Sequence, residues 1–444
     1  MRRTVVAGYA LGSVGTGGFG VLPGLVLAYY LTDSLGVPAV AAAGVVLIPK
    51  LLDVAVNPAI GARSDRQLSR TGSRRRDMLV GSLAFAPLFV LTFAAPTGIG
   101  WPPAAVWVLA AFSSTAIAYA FFQVPYVALP AELTDSYDER TRLVAVRIAV
   151  LAAAILLFGA GGPALRDSVG GSRGYLVMAL GSGLLISAGM VLASRTAPRR
   201  GIDGPADAAT ESSASFRDAF TALRIDSGYR RLVAVYVVQA LASAVMLAGA
   251  QYLATHVLGR SSALQWLFVS LVAPALVVMP LWYRFGARRG KLAGLRVAAA
   301  LFAVASAALL GTIWWSGPWV YAAVAVAGVG YAGMQTFPLA MLPDVLNAHD
   351  RRTDTSSGGS LSGLWTAAET IALALGPAVF LIVLAATGYV STPAGATTTS
   401  VQPHSAVLGI SVGFAAVPAL LVAGSLILLR RYAEPIPEGG PDEQ

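Results

Sequence analysis

The chain has 444 residues, of which 56% are hydrophobic and 12% charged, and its mean hydropathy is +0.69. Soluble globular domains carry about 25% charged residues, so this composition excludes a soluble fold and points to an all-α polytopic membrane protein. With no cysteine and only His256, His349 and His404, nothing supports disulfides, thiol chemistry or a metal centre, and the net charge of +9 needs another explanation.

Charge-free intervals mark the membrane spans. Arg2 and Arg3 precede an apolar run with no convincing cleavage site, so the chain opens on a first transmembrane helix, about 6–31, rather than a signal peptide. A second span covers about 38–60. No charge occurs between Val80 and Pro130, leaving room for a third (about 79–95) and a fourth (about 104–128), split by APTGIGWPP. The fifth and sixth cover about 143–162 and 174–193. A polar segment then divides the chain, and within it Phe216, Phe220 and Leu223 have the spacing of a helix lying on the membrane surface. Six further spans follow at about 232–256, 264–283, 292–312, 317–341, 362–388 and 406–429. The expected organisation is two six-helix bundles, 1–193 and 231–430, joined by a cytoplasmic linker, 194–230, and followed by a disordered cytoplasmic tail, 431–444.

Arginine and lysine set the orientation. The N-terminus, the loops after spans 2, 4, 6, 8 and 10, and the C-terminus hold nearly every basic residue, whereas the opposite side has only Arg166, Arg173 and Arg260. Both termini are therefore cytoplasmic, and the expected location is a bacterial inner membrane. The positive charge faces anionic lipid headgroups, and no nucleic-acid fold accompanies it.

Inside the second span the apolar run is interrupted by Lys50, Asp53 and Asn57, which share one helix face. An ionisable side chain at membrane depth costs at least about 2.5 kcal/mol unless it meets a partner or a cavity. These residues are therefore candidates for a transport pathway, the alternative being an ion pair that only holds helices together. An aspartate beside a lysine changes protonation when its solvation changes, as proton coupling requires. Around Na⁺, Asp53 and Asn57 supply only part of a shell.

Glu369, in the eleventh span, is the second intramembrane carboxylate, and no basic residue occurs between Arg352 and Arg430. Its partner is then Lys50 or Arg147 from another helix, or it is a protonated acid hydrogen-bonded to a neighbour. Gln123, flanked by aromatics and Pro125, is a binding candidate, with Tyr126 beside it. Gln239, Gln251 and Gln335 read equally as interhelical glue. Trp365, one turn before Glu369, stacks on a ligand ring or packs at an interface. In the loop after the second span, Asp65 and Arg66 suggest a cytoplasmic gate, joined by Arg142 and, at the equivalent place after the eighth span, Arg284.

The two halves echo each other. PYVALPAELT from Pro125 and PLAMLPDVLN from Pro338 both place proline, four residues, proline and then an acid at the end of the fourth span of their half. This spacing points to duplicated bundles. No phosphate-binding GxxxxGK[ST] loop or HExxH occurs, so uphill transport needs an ion gradient.

KLLDVAVNPAIG from Lys50, PYVALPAELT from Pro125 and LWTAAETIALALGP from Leu364 resemble the glycoside–pentoside–hexuronide:cation symporters of the major facilitator superfamily, which include the melibiose permeases. The resemblance covers almost the whole chain and implies the major facilitator fold, alternating access and a cation-coupled solute. It places Asp53 on a cation-site aspartate, Asn57 where sodium-coupled members have a second aspartate, and Arg147 on a helix 5 arginine. Gly17 or a neighbour, and Gln123, fall where melibiose permeases have sugar-site carboxylates. Glu369 falls where the family has a lysine. These departures favour H⁺ over Na⁺ and argue against a melibiose-like galactoside. The expectation is a monomeric transporter, not an enzyme, without cofactor, that moves a sugar or glycoside-like solute. The rival is a drug or lipid exporter of the same fold.

Overall fold

The computed structural model describes residues 3–96, 98–134, 136–198, 226–353, 358–396, 399–430 and 432. The expected amphipathic helix of the linker and nearly all of the C-terminal tail lie outside them. The described residues form twelve main helices: α1 (Arg3–Asp33), α2 (Ala39–Thr71), α3 (Arg75–Thr92), α4 (Trp101–Leu133), α5 (Tyr137–Val169), α6 (Gly171–Ser194), α7 (Ser227–Val257), α8 (Ala263–Arg289), α9 (Lys291–Ile313), α10 (Trp319–Thr353), α11 (Gly358–Ala386) and α12 (His404–Arg430). Eleven are long and apolar enough to cross a membrane. The remaining one, α3, has 18 residues and carries Arg75, Arg76 and Asp77 in its first turn, so its apolar stretch is the shortest.

Several helices run past the charge-free limits because charged residues at a membrane interface continue a helix at little cost. α5 keeps Arg166 and Asp167 in its last turn, and α4 begins at Trp101, with proline tolerated in its first turn where no N–H partner is lost. The duplicated proline segments are helical throughout. Pro125 and Pro130 lie inside α4, and Pro338 and Pro343 inside α10. Proline removes one backbone hydrogen bond, which neighbouring helices in a membrane bundle compensate. α1 is interrupted at Gly12, where Tyr126 of α4 donates to the Tyr9 carbonyl at 2.8 Å and lies 3.2 Å from Ser13 Oγ.

The helices sort into two compact units. The first holds α1 to α6 with residues 245–269 and 374–414; the second holds the rest of α7, α8, α11 and α12 with α9 and α10. The centre of the first is aromatic: Phe19 packs against Phe85, Phe89, Phe112 and Tyr119 with ring centroids 4.6–6.4 Å apart. In the second, Trp282 of α8 lies 5.6 Å from Phe337 of α10 and donates to the Val329 carbonyl at 2.9 Å.

Each unit fastens its proline segment by the same device. In the first, Arg74, just before α3, lies 2.5 Å from Glu132 at the end of α4, 2.6 Å from Asp65 and 2.9 Å from Ser64 Oγ. Burial disfavours the Arg74 charge, but hydrogen bonds to Glu132 and Asp65 outweigh it and hold the guanidinium above its ordinary pKa. In the second, Lys291, the first residue of α9, lies 2.6 Å from Asp344 of α10 and 2.9 Å from the Ala340 carbonyl.

Candidate functional site

The polar residues of α2 converge with side chains from α1, α4 and α5 in the first unit. Lys50 lies over the Phe19 ring, 5.0 Å from its centroid. It feels the Asp53 carboxylate electrostatically, yet no ion pair within 4.0 Å joins them among the described residues. Asn57 turns its amide toward Asp53, while its Oδ1 is buried without a hydrogen-bond partner. The three side chains follow one another along one face, as their spacing predicts, and all are half-buried. A lysine and an aspartate held near each other but not in contact leave the carboxylate free to gain or lose a proton.

The side chains around them are hydroxylated and aromatic. Thr16 Oγ1 of α1 donates to Gln123 Oε1 of α4 at 3.0 Å, and Tyr119 hydrogen-bonds the same threonine while sensing the Asp53 charge. Arg147 of α5 lies 5.1 Å from the Tyr126 ring centroid and beside Tyr9. Tyr126 itself is fully buried, with its hydroxyl committed to α1, so it supports Arg147 from behind. Gly17 marks a helix contact: a Cβ there would sit 2.9 Å from the Ala154 Cβ and 3.1 Å from the Ile155 nitrogen of α5. No carboxylate fits at that position, whereas a Cβ on Gly20, one turn on, meets nothing within 4 Å.

Glu369 sits in the second unit. Tyr236 of α7 donates to its Oε1 at 2.5 Å, and the same phenol ring stacks on Trp365 at 4.4 Å with planes 21° apart. Among the described residues of that unit no lysine or arginine pairs with Glu369. Of the sequence alternatives, the hydrogen-bonded neighbour is therefore present, and Trp365 packs against protein rather than standing open. Gln239 donates to Ser425 of α12 at 3.2 Å, an interhelical contact, while Gln251 and Gln335 bond Thr255 and Tyr331 one turn along their own helices.

At the cytoplasmic ends, Asp65 takes its partner, Arg74, from its own unit. Arg66, Arg142 and Arg284 are exposed and form no ion pair among the described residues. Among those residues no group of three or more potential metal ligands assembles. Sequence reading missed Thr16, Phe19 and Tyr119, which look like ordinary members of an apolar run; only Tyr119, four positions before Gln123, carried a spacing signal.

Eleven helices fit to cross a membrane, with ionisable side chains inside the spans of each unit, have the architecture of a membrane transporter of the major facilitator type, not an enzyme. The chain belongs to the family described as MFS/sugar transport protein, whose model matches residues 8–435. It is a multi-pass protein of the bacterial inner membrane, related to the glycoside–pentoside–hexuronide symporters. It is 24% identical over 424 residues to the uncharacterized symporter YnaJ of Bacillus subtilis, covering 91% of this chain and 86% of that protein. It is 30% identical over 141 residues to the uncharacterized symporter YjmB of the same organism, an alignment covering 31% of this chain and 30% of the relative. Among solved structures, a D-xylose–proton symporter shares the fold with a TM-score of 0.68 at 12% identity, over 97% of this chain and 98% of that one.

Proposed function

We propose that this protein is a secondary active transporter that moves a sugar or glycoside-like solute by proton-coupled alternating access. The observation that carries the reading is the Asp53 carboxylate, held at membrane depth near Lys50 without an ion pair and beside a partly unsatisfied Asn57. Such a group binds a proton when its surroundings dry and releases it when water or the lysine approaches. Glu369 is a second coupling candidate, hydrogen-bonded but without a cation of its own unit. Gln123, Thr16, Tyr119 and Arg147 supply the donors and acceptors that a hydroxylated solute needs. The absence of a second carboxylate at Asn57 favours H⁺ over Na⁺. The names of the curated relatives, all symporters in the pairs given above, support cation coupling.

The test uses purified protein in liposomes and a panel of radiolabelled pentoses, hexoses and glycosides, with a pH or a sodium gradient imposed. Asp53→Asn is expected to abolish uphill accumulation driven by ΔpH while retaining downhill exchange, with Glu369→Gln weakening it. Full ΔpH-driven accumulation in both variants would falsify the mechanism.

A further inference from the structure

A polar cluster on the side opposite the basic loops is untouched by this coupling scheme. Asp33 ends α1 with its side chain fully shielded. Its carboxylate accepts from Thr32 Oγ1 at 2.6 Å, from Thr392 Oγ1 at 3.0 Å and from the Tyr389 hydroxyl, which is 2.7 and 2.9 Å from the two oxygens. His256 Nε2, at the end of α7, lies 2.9 Å from the Tyr389 hydroxyl and 3.6 Å from Asp33 Oδ1. Tyr252 reaches Thr32 Oγ1 at 2.9 Å. The backbone follows: Thr392 N donates to the Thr32 carbonyl at 3.0 Å, and Ser391 Oγ to the Val37 carbonyl at 2.8 Å. All these residues belong to the first unit.

His256 reaches the cluster because α7 widens into a π turn, Leu253–Val257, closed by Leu258 N on the Leu253 carbonyl. Such turns cost regular hydrogen bonding and concentrate at functional sites. Donor bookkeeping fixes the proton positions. Tyr389 has one hydroxyl hydrogen; if Asp33 takes it, His256 Nε2 must be the donor to the tyrosine oxygen. Burial and the Asp33 charge hold the Tyr389 phenol far above its ordinary range, so it relays a proton without ionising. With a neutral imidazole the cluster carries one buried negative charge. With an imidazolium it is neutral, and a buried charge that has a partner costs much less than one alone. The equivalent form with Asp33 protonated and Tyr389 donating to His256 differs only by a shift of two protons along the same bonds. The other titratable or charged groups nearby are Tyr29 of α1, Tyr175 of α6 and Arg166 of α5, and His404 is exposed at the start of α12. Arg166 does not balance Asp33, because its charge is met by Asp167 at 2.6 Å.

We propose that Asp33, Tyr389 and His256 form one proton-binding site that fastens the outer ends of α1, α7 and α11 together when protonated and lets them part when the proton leaves. Given the alternating access proposed above, this puts outward opening under the control of external pH, separately from Asp53 and Glu369.

The chain has no native cysteine, so nitroxide labels go directly on Val40→Cys and Ser405→Cys, both at exposed positions, in nanodiscs. Double electron–electron resonance then reports the spacing without substrate or transport, so this idea fails or stands apart from the coupling scheme. Lowering the pH from about 8 to about 5.5, the range in which histidine changes charge, is expected to raise the ratio of close to separated populations severalfold. His256→Gln should leave the ratio low and His256→Arg high at both pH values, each variant first checked for a single size-exclusion peak. A distance distribution that ignores pH in the otherwise unsubstituted protein, or pH dependence that persists in His256→Gln, overturns the proposal.

Discussion

Asp53 and Asn57 lie one turn apart on α2, and the difference between them is one oxygen and one charge. Asn57→Asp would place a second carboxylate beside Asp53, where the Asn57 Oδ1 already lacks a partner. Two like charges this close raise each other's cost, which either a shared proton or a small cation relieves. The variant is therefore expected to acquire sodium-stimulated uptake in liposomes at neutral pH, at least severalfold over the unsubstituted protein. A response to sodium no larger than that of the parent would show that the remaining ligands are out of reach. Lys50, Asp53 and Glu369 were legible from sequence because a charge inside an apolar run is conspicuous. Phe19 and Tyr119 were not, since aromatic residues are common in such runs and only the fold brings them over Lys50 and Thr16. Asp33 was hidden for another reason: it marks the end of a charge-free interval and so reads as a boundary, while Tyr389 and Thr392, which donate to it, lie 356 and 359 residues away in the chain.

At the scale of elements, span number and order were readable because hydrophobic length and charge spacing are properties of single helices. Helix ends were less so: the two spans were expected to stop at about 128 and 341, between the prolines, yet α4 and α10 continue through both prolines. How closely two helices approach is not encoded in hydropathy at all. Gly328 of α10 shows this, because a Cβ there would lie 2.0 Å from the Leu271 carbonyl oxygen of α8. Alanine normally stabilises a helix interior over glycine by about 1 kcal/mol, but forcing apart two packed backbones costs about 1–3 kcal/mol or more. The clash is with backbone, which cannot rotate away, so the packing term wins. Gly328→Ala is expected to lower the unfolding temperature in detergent by several degrees. Gly424→Ala in α12, where a Cβ meets nothing within 4 Å, should leave it unchanged or slightly raised. If both variants melted alike, close packing at α8 and α10 would not be what the glycine provides.

For the molecule as a whole, the repeated proline–acid spacing of the two halves carries a repeated contact: a basic residue at the start of the third helix of each half holds the acid that follows the second proline of the fourth. The two copies differ in setting. Arg74 and Glu132 have side chains only 11% and 9% exposed, whereas Lys291 and Asp344 are 42% and 51% exposed. Removing one partner of a buried pair leaves the other charge stranded and costs about 3–5 kcal/mol. An exposed pair is screened by water and contributes about 0–1 kcal/mol. Arg74→Gln is therefore expected to destabilise strongly, with Glu132→Gln on the same background restoring part of the loss because the buried carboxylate that faced the lost guanidinium is gone. Lys291→Gln and Asp344→Asn should each shift thermal unfolding by no more than the exposed-pair value, singly or together. Melting curves for these five proteins beside the parent decide the matter. Equal losses at the two sites would mean that the duplicated motif acts through its sequence geometry alone, and that burial does not set the strength of the fastening.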